Sequence, residues 1–134
     1  IPKGSGTNKN AVAIVIGNRD YSGDVPKVDF ALRDAEYMKE YLIKTLGYRK
    51  GNIIHTENAT LSQIKTSVKK LSNIAKKNQS DVFVYYSGHG APDPKSEKGY
   101  LIPHDIDPNY ANTGFSLDQI YKSLSDLVPG LSKD

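Results

Sequence analysis

The chain has 134 residues, 37% of them hydrophobic and 25% charged, which suits a single domain with one core. The net charge of +3 and the scattered lysines disfavour a nucleic-acid surface, and no apolar run reaches the roughly 20 residues that cross a bilayer. The absence of cysteine excludes disulfides and thiolate zinc sites within this sequence.

The first ten residues, IPKGSGTNKN, differ in composition from the rest of the chain. They lack an initiator Met and an apolar stretch, so they do not form a signal peptide and indicate a linker cut from a longer protein. We expect residues 1–10 to be a linker and residues 11–134 to form one domain. We slightly favour a cytoplasmic location, and export stays open because the N-terminus is truncated and a leader could precede it.

Apolar periodicity predicts alternating strands and helices in the order β-α-β-α-β-(β)-α. Two capping boxes, Thr60-Leu-Ser-Gln63 and Ser116-Leu-Asp-Gln119, mark helix starts. The predicted segments are a buried strand at Ala11–Ile16, a helix from Asp29 to Leu46 stopped by Gly47, a strand at Asn52–Thr56, a helix after Thr60, a strand at Asp81–Tyr86, an extended piece at Gly99–Ile102, and a helix after Ser116 carrying Leu117, Ile120, Leu124 and Leu127.

This alternation predicts an α/β fold, a three-layer, doubly wound and mainly parallel sheet with helices on both faces. A crossover helix normally leads into another parallel strand, but the last helix has no strand after it. We therefore expect the C-terminal strands of the sheet to be missing from this chain.

His89 is the first candidate functional residue. It stands in Ser-Gly-His-Gly directly after the third predicted strand, and ligands of open parallel sheets bind at the carboxyl ends of strands. Gly88 and Gly90 leave the imidazole uncrowded, and the Gly90 N–H could approach a substrate oxygen. A solvated loop histidine is the alternative.

Asp34 is the second candidate, because helical periodicity puts it within the apolar stripe of the first helix, between the directions of Met38 and Tyr41. A carboxylate facing the sheet is costly unless it is paired. It could be a structural group bonded to backbone N–H groups or to Arg33, or a pocket acid for a cationic ligand.

The segment Pro-His-Asp-Ile-Asp-Pro holds His104, Asp105 and Asp107. With His89 they could suggest a metal site, but the two flanking prolines favour a rigid loop with Asx-type turns. We assign no cofactor and no metal, and His55 receives no role. Tyr85, Tyr86 and Tyr100 are interpreted as core residues with a polar tip.

Four segments together resemble the large-subunit region of the caspase/metacaspase family of cysteine peptidases, and they look closest to its bacterial caspase-like branch. They are AVAIVIGNRDY, DFALRDAEYMKEYLIKTLGY, VFVYYSGHGAP and GYLIPHDIDP, and the resemblance runs from about Ala11 to Val128. It implies a peptide or protein substrate and a catalytic dyad in which His89 acts with a cysteine at the end of the next strand. It also implies an oxyanion contact from the Gly90 N–H and an S1 pocket formed with Asp34, which would favour Arg or Lys at P1.

The sequence departs from that family in having no cysteine, and the thiolate is the nucleophile of such enzymes. We expect the chain alone to be inactive and its partner to be the C-terminal remainder of its own polypeptide, which would carry the cysteine. A catalytically inactive pseudo-peptidase acting as a scaffold or regulatory domain, and a binding module without peptidase ancestry, are the alternatives. The peptidase interpretation further expects His89 and Asp34 to open onto the same crevice.

Overall fold

The computed structural model describes residues 4, 8–75, 80–92, 99–109 and 113–125 of the chain. The predicted order of strands and helices is confirmed. Its elements are β1 (Val12–Gly17), α1 (Ala31–Lys44), β2 (Ile53–Glu57), α2 (Leu61–Ile74), β3 (Val82–Ser87), β4 (Gly90–Pro92), β5 (Gly99–Leu101), β6 (Phe115–Ser116) and α3 (Leu117–Ser125), with a short 3-10 turn at Lys50–Asn52.

The main sheet is parallel, with strand order β2-β1-β3. Val15 of the central strand lies between His55 of β2 and Tyr85 of β3. Every residue of β1 is buried, because strands flank it on both sides and helices cover both of its faces. All six residues of β3 are only half-buried. Within the described ranges β3 pairs with β1 alone, which leaves its other edge open.

The sheet divides two apolar clusters, as the period of two along β1 requires. Val12, Ile14 and Ile16 pack against α2 and α3, whereas Ala13 and Val15 pack against α1. Three layers of helix, sheet and helix result, so the predicted α/β class is correct, and no strand follows α3 within the described residues.

The helices follow their sequence signals closely. The Thr60 hydroxyl accepts from the Gln63 N–H at 3.2 Å, and the Gln63 side chain accepts from the Thr60 N–H at 2.9 Å, which confirms the first capping box. At α3 the Ser116 hydroxyl accepts instead from the Asp118 N–H. Leu46 was predicted to be the last residue of the first helix, but α1 ends at Lys44 and Leu46 is 36% exposed.

A second, smaller sheet is antiparallel, in the order β4-β5-β6. Only β5 was predicted, as the extended piece at Gly99–Ile102, while β4 with three residues and β6 with two were not. Leu127, expected on the last helix, lies outside the described residues. None of the helices described is long and apolar enough to cross a membrane.

Candidate active site

The carboxyl ends of β1 and β3 lie side by side and form the edge at which the candidate residues meet. The N–H of Asn18, directly after β1, donates to the carbonyl of Ser87, the last residue of β3, at 2.8 Å. The loop to α1 therefore leaves β1 beside the Gly88-His89 turn that leaves β3. This is the edge where open parallel sheets bind ligands.

The imidazole of His89 is held by a main-chain oxygen of the β1–α1 loop. Its Nε2 lies 2.7 Å from the carbonyl oxygen of Pro26. A carbonyl oxygen can only accept, so Nε2 carries the ring proton and the lone pair of Nδ1 is left to act as a base. The ring also packs on Tyr21, with 4.9 Å between centroids and 49° between planes. One tautomer of a half-buried imidazole is thus oriented at the sheet edge.

The main chain of His89 is bonded at both of its polar groups. Its N–H donates to the Tyr21 hydroxyl at 2.7 Å. Its carbonyl accepts from the Tyr86 hydroxyl at 2.6 Å and from the Ile102 N–H at 3.1 Å. Burial raises the pKa of Tyr86 far above that of an ordinary tyrosine, so this hydroxyl keeps its proton and remains a donor.

The two glycines beside His89 have different surroundings. A Cβ atom at Gly88 would lie 2.6 Å from the hydroxyls of both Tyr21 and Tyr86, a distance that real Cβ atoms do not reach. A Cβ at Gly90 would meet only the Tyr100 carbonyl oxygen at 3.5 Å, which is an ordinary contact. Gly88 is therefore required by the tyrosine hydroxyls, whereas nothing among the described residues excludes a side chain at Gly90.

Gly90 faces Leu101 across the antiparallel pair of β4 and β5. The Ile102 N–H donates a hydrogen bond to the His89 carbonyl. Along an antiparallel pair of strands, residue pairs that are joined by hydrogen bonds alternate with pairs that are not. Gly90 and Leu101 accordingly form a non-bonded pair, so the N–H of exposed Gly90 points away from β5.

A fully buried asparagine fastens three loops together at this edge. The Asn18 side chain accepts from the Ala59 N–H at 2.7 Å and donates to the carbonyls of Ala59 at 3.1 Å and Ile102 at 3.3 Å. These bonds join the end of β1 to the residues that follow β2 and β5. Because a buried amide is costly unless it is satisfied, the three segments keep fixed relative positions.

Asp34 lies in the first turn of α1, at the same end of the sheet as His89. Its side chain is 44% exposed, and its Oδ1 lies 3.9 Å from Nε of Arg33. The predicted contact with Arg33 is thus present, while the carboxylate is more exposed than its place in the stripe indicated. The Arg33 guanidinium also lies 4.4 Å above the ring of Phe30.

Asp34 opens into a pocket of about 350 Å³ whose other lining residues are Tyr37, Met38, Tyr41 and Tyr85. Gly88 and Gly90 line a different pocket of about 410 Å³, together with Tyr86. Tyr85 and Tyr86 are consecutive in β3 and therefore face opposite sides of the sheet. The two pockets share no described lining residue, so a common crevice for His89 and Asp34 stays a prediction.

The loop with His104 has structural partners. His104 donates from Nδ1 to the Asp20 carbonyl at 2.6 Å, and Asp105 accepts from the Leu61 N–H at the start of α2. Asp107 accepts from the Asn109 N–H two residues on, which confirms the predicted Asx turn. Within the described ranges, no group of three or more His, Cys, Asp or Glu residues is arranged to hold a metal ion.

Sequence reasoning missed Tyr21, Asn18 and the Pro26 carbonyl as parts of this site. Asn18 had a usable signal, since a polar side chain directly after a fully apolar strand marks the same edge as His89. The Pro26 contact had none, because a main-chain carbonyl is present at every residue and only the folded loop brings this one to His89.

The sequence model of the Caspase domain, a peptidase family, matches residues 10–131. The match includes both candidate residues, His89 and Asp34, and every described strand and helix. No curated protein matches the chain significantly.

Proposed function

Because this chain belongs to the caspase domain family of peptidases, we propose that it is part of a cysteine endopeptidase that cleaves after Arg or Lys. His89 would be the general base, and the Gly90 N–H would bind the oxyanion. Asp34 would receive the basic P1 side chain. The contact of His89 Nε2 with the Pro26 carbonyl at 2.7 Å is the single observation that carries this proposal.

A cysteine peptidase needs a base within reach of its thiol, with the lone pair facing the thiol. The bond from Nε2 to the Pro26 carbonyl reserves the Nδ1 lone pair for that purpose. The same carbonyl would stabilise the imidazolium that forms when the thiol proton is taken up, because it accepts a stronger hydrogen bond from a charged ring.

An oxyanion site needs a donor that is not already bonded and space for the substrate beside it. The N–H of Gly90 points away from β5, and the residue is exposed. The lack of a side chain there leaves room for a peptide carbonyl next to the imidazole. These features support a role for Gly90 in binding the tetrahedral intermediate.

The Asp34 pocket suits a long basic side chain. Its walls are aromatic and aliphatic, and they would pack on the methylene stem of Arg or Lys, while the carboxylate would bind the cationic end. The existing ion pair with Arg33 is partly exposed and therefore worth roughly 0–1 kcal/mol. A substrate cation could replace it at little cost.

The nucleophile has to come from outside this sequence, because none of the 134 residues is cysteine. We propose that the partner is the C-terminal remainder of the same polypeptide, which would add a strand along the open edge of β3. A thiol at the carboxyl end of that strand would lie next to His89 and between the faces on which the two pockets open.

The test is to express the polypeptide with its native continuation and to assay fluorogenic peptides that carry Arg, Lys or Asp at P1. We expect cleavage after Arg and Lys, and a fall in kcat/KM of about 10²- to 10⁴-fold in His89→Ala. Unchanged cleavage by that variant would refute the role of His89. Preference for Asp at P1 would refute the role of Asp34.

Asp34→Asn tests the pocket directly, with Glu36→Gln as the matched control on the same helix. We expect Asp34→Asn to lose about tenfold in kcat/KM on Arg peptides, because the P1 cation would lose a charge-assisted hydrogen bond at this partly exposed carboxylate. Glu36→Gln should keep the activity. Equal losses in the two variants would indicate a general effect of charge on α1.

An inactive pseudo-peptidase that acts as a scaffold is the second candidate, and the absence of cysteine favours it. It predicts that the continuation of the reading frame also lacks a thiol in the strand that follows α3. Sequencing that continuation separates the two candidates before any assay.

A further inference from the structure

Two tyrosine hydroxyls that are distant in the sequence occupy both sides of the His89 main chain. Tyr21 comes from the β1–α1 loop and Tyr86 from β3, and their hydroxyl oxygens lie 3.3 Å apart. One accepts from the His89 N–H and the other donates to the His89 carbonyl. The imidazole itself is held by its contact with the Pro26 carbonyl.

The acceptors within reach decide where the hydroxyl protons of Tyr21 and Tyr86 point. Tyr86 has one hydroxyl proton and two carbonyls within reach, His89 at 2.6 Å and Ile102 at 3.0 Å, so the shorter bond goes to His89. The Tyr21 hydroxyl accepts from His89 and can donate to the Asn18 carbonyl at 3.2 Å or to Tyr86 at 3.3 Å. In the second arrangement the bonds form a closed ring that begins and ends on His89, in which each bond polarises the next.

We propose that Tyr21 and Tyr86 are positioning residues whose hydroxyls fix the main chain of His89 and thereby aim its imidazole for peptide hydrolysis. This inference rests on the proposed function of His89 as general base. The hydroxyls hold the residue at its N–H and C=O, so the imidazole can turn only about its own side-chain bonds. A displacement of about 1 Å at such a group costs on the order of 10²-fold in rate.

The hydroxyl groups, rather than the rings, are the proposed determinants. The ring of Tyr86 packs against the cluster beneath α2, and the ring of Tyr21 packs on the imidazole. A phenylalanine at either position keeps those contacts. The glycine at position 88 agrees with this view, because only a residue without Cβ leaves room for both hydroxyls.

The first experiment uses the 134-residue chain labelled with ¹⁵N and needs no activity. In Tyr21→Phe we expect the His89 amide to exchange with solvent about tenfold faster, the factor that corresponds to one ordinary hydrogen bond. In Tyr86→Phe we expect that the ¹⁵N chemical shifts of the His89 ring no longer correspond to a single Nε2–H tautomer. Tyr48→Phe is the control, since Tyr48 is a buried tyrosine that precedes β2, at the opposite end of the sheet. Unchanged His89 signals in both test variants would overturn the proposal.

The second experiment uses the polypeptide with its native continuation. Each phenylalanine variant should lower kcat by about 10- to 100-fold with little change in KM, and it should shift the pH profile of kcat/KM. The fall in kcat of the double variant should be smaller than the product of the two single falls, because both hydroxyls belong to the same ring of hydrogen bonds around His89. Wild-type kcat and pH profile in both variants would refute the positioning role and leave the peptidase proposal intact.

If the wild-type polypeptide cleaves none of the peptides, the proposed function fails, and the proposed role in hydrolysis fails with it. The measurements on the isolated chain would then still report whether the hydroxyls hold His89. The failure of one proposal is thus distinguishable from the failure of the other.

Discussion

Gly88 and Gly90 flank the same histidine, but the space available for a Cβ atom differs between them. At Gly88 the hydroxyls of Tyr21 and Tyr86 occupy the space that a Cβ would need. At Gly90 the nearest atom, the Tyr100 carbonyl oxygen, lies at an ordinary contact distance, and φ is not positive. The folded state thus requires glycine at position 88, whereas no described residue requires it at position 90.

This difference predicts opposite results for two alanine substitutions. Gly88→Ala should lower the free energy of unfolding by about 1–3 kcal/mol, because the clash displaces packed groups. Gly90→Ala should leave stability almost unchanged and lower only the kcat of the polypeptide with its continuation. Urea denaturation of both variants measures the first effect. Equal destabilisation would contradict the assignment of the tyrosine hydroxyls as the reason for Gly88.

The packing of α1 on β2 encloses a histidine that has no assigned role. The Nε2 atom of His55 is buried, with no hydrogen-bond partner among the described residues. Burial lowers the pKa of His55 below the usual 6.5, and the charge of Lys39 lowers it further, while Glu57 and Glu36 oppose the shift. The contact between these elements therefore favours a neutral imidazole.

Acidification should weaken this contact. Below pH 6.5 the unfolded chain takes up a proton at His55 more readily than the folded chain does, so the free energy of unfolding falls as the pH drops towards the lowered pKa. His55→Gln removes that proton and should make the fall between pH 7 and pH 5 smaller. Chemical denaturation at a series of pH values tests this. An unchanged pH dependence, or NMR titration of His55 at 6.5 or above, would disprove it.

For the molecule as a whole, the open edge of β3 is the feature with the largest consequence. The carbonyl oxygens of Asp81 and Ser87 accept hydrogen bonds from N–H groups in β1 and directly after it. Successive residues of a strand turn their N–H and C=O groups to opposite sides. Val82, Val84 and Tyr86 therefore turn their N–H and C=O groups away from β1. A parallel edge that no described strand pairs invites pairing with another strand.

We predict that the 134-residue chain self-associates as its concentration rises. Val84→Pro removes one outward N–H without touching the bonds to β1, and edge strands tolerate proline at such a position. It should therefore reduce the association. Sedimentation equilibrium measures the mean mass, and circular dichroism checks that the variant stays folded. A wild-type chain that remains monomeric at its highest soluble concentration would contradict an available edge.

Much of the architecture was predictable because its signals are local. The fully apolar stretch of β1 and the capping box at Thr60 each lie within a few residues of chain, so short-range chemistry is enough to specify them. The candidate residues were proposed from the same kind of local signal. His89 follows a strand and has glycines on both sides, and Asp34 lies on the apolar stripe of a helix.

The sequence by itself determined the α/β class and the order of elements, since the signals for strands and helices lie within three or four positions of each other. It also fixed the residue types that are available for chemistry. Only the tertiary structure decided that β1 is central, that β3 is an edge, and that Tyr21, Pro26 and Tyr86 surround His89. Pro26 and Tyr21 are 63 and 68 residues from His89. No local pattern encodes such contacts, because the packing of the sheet edge creates them.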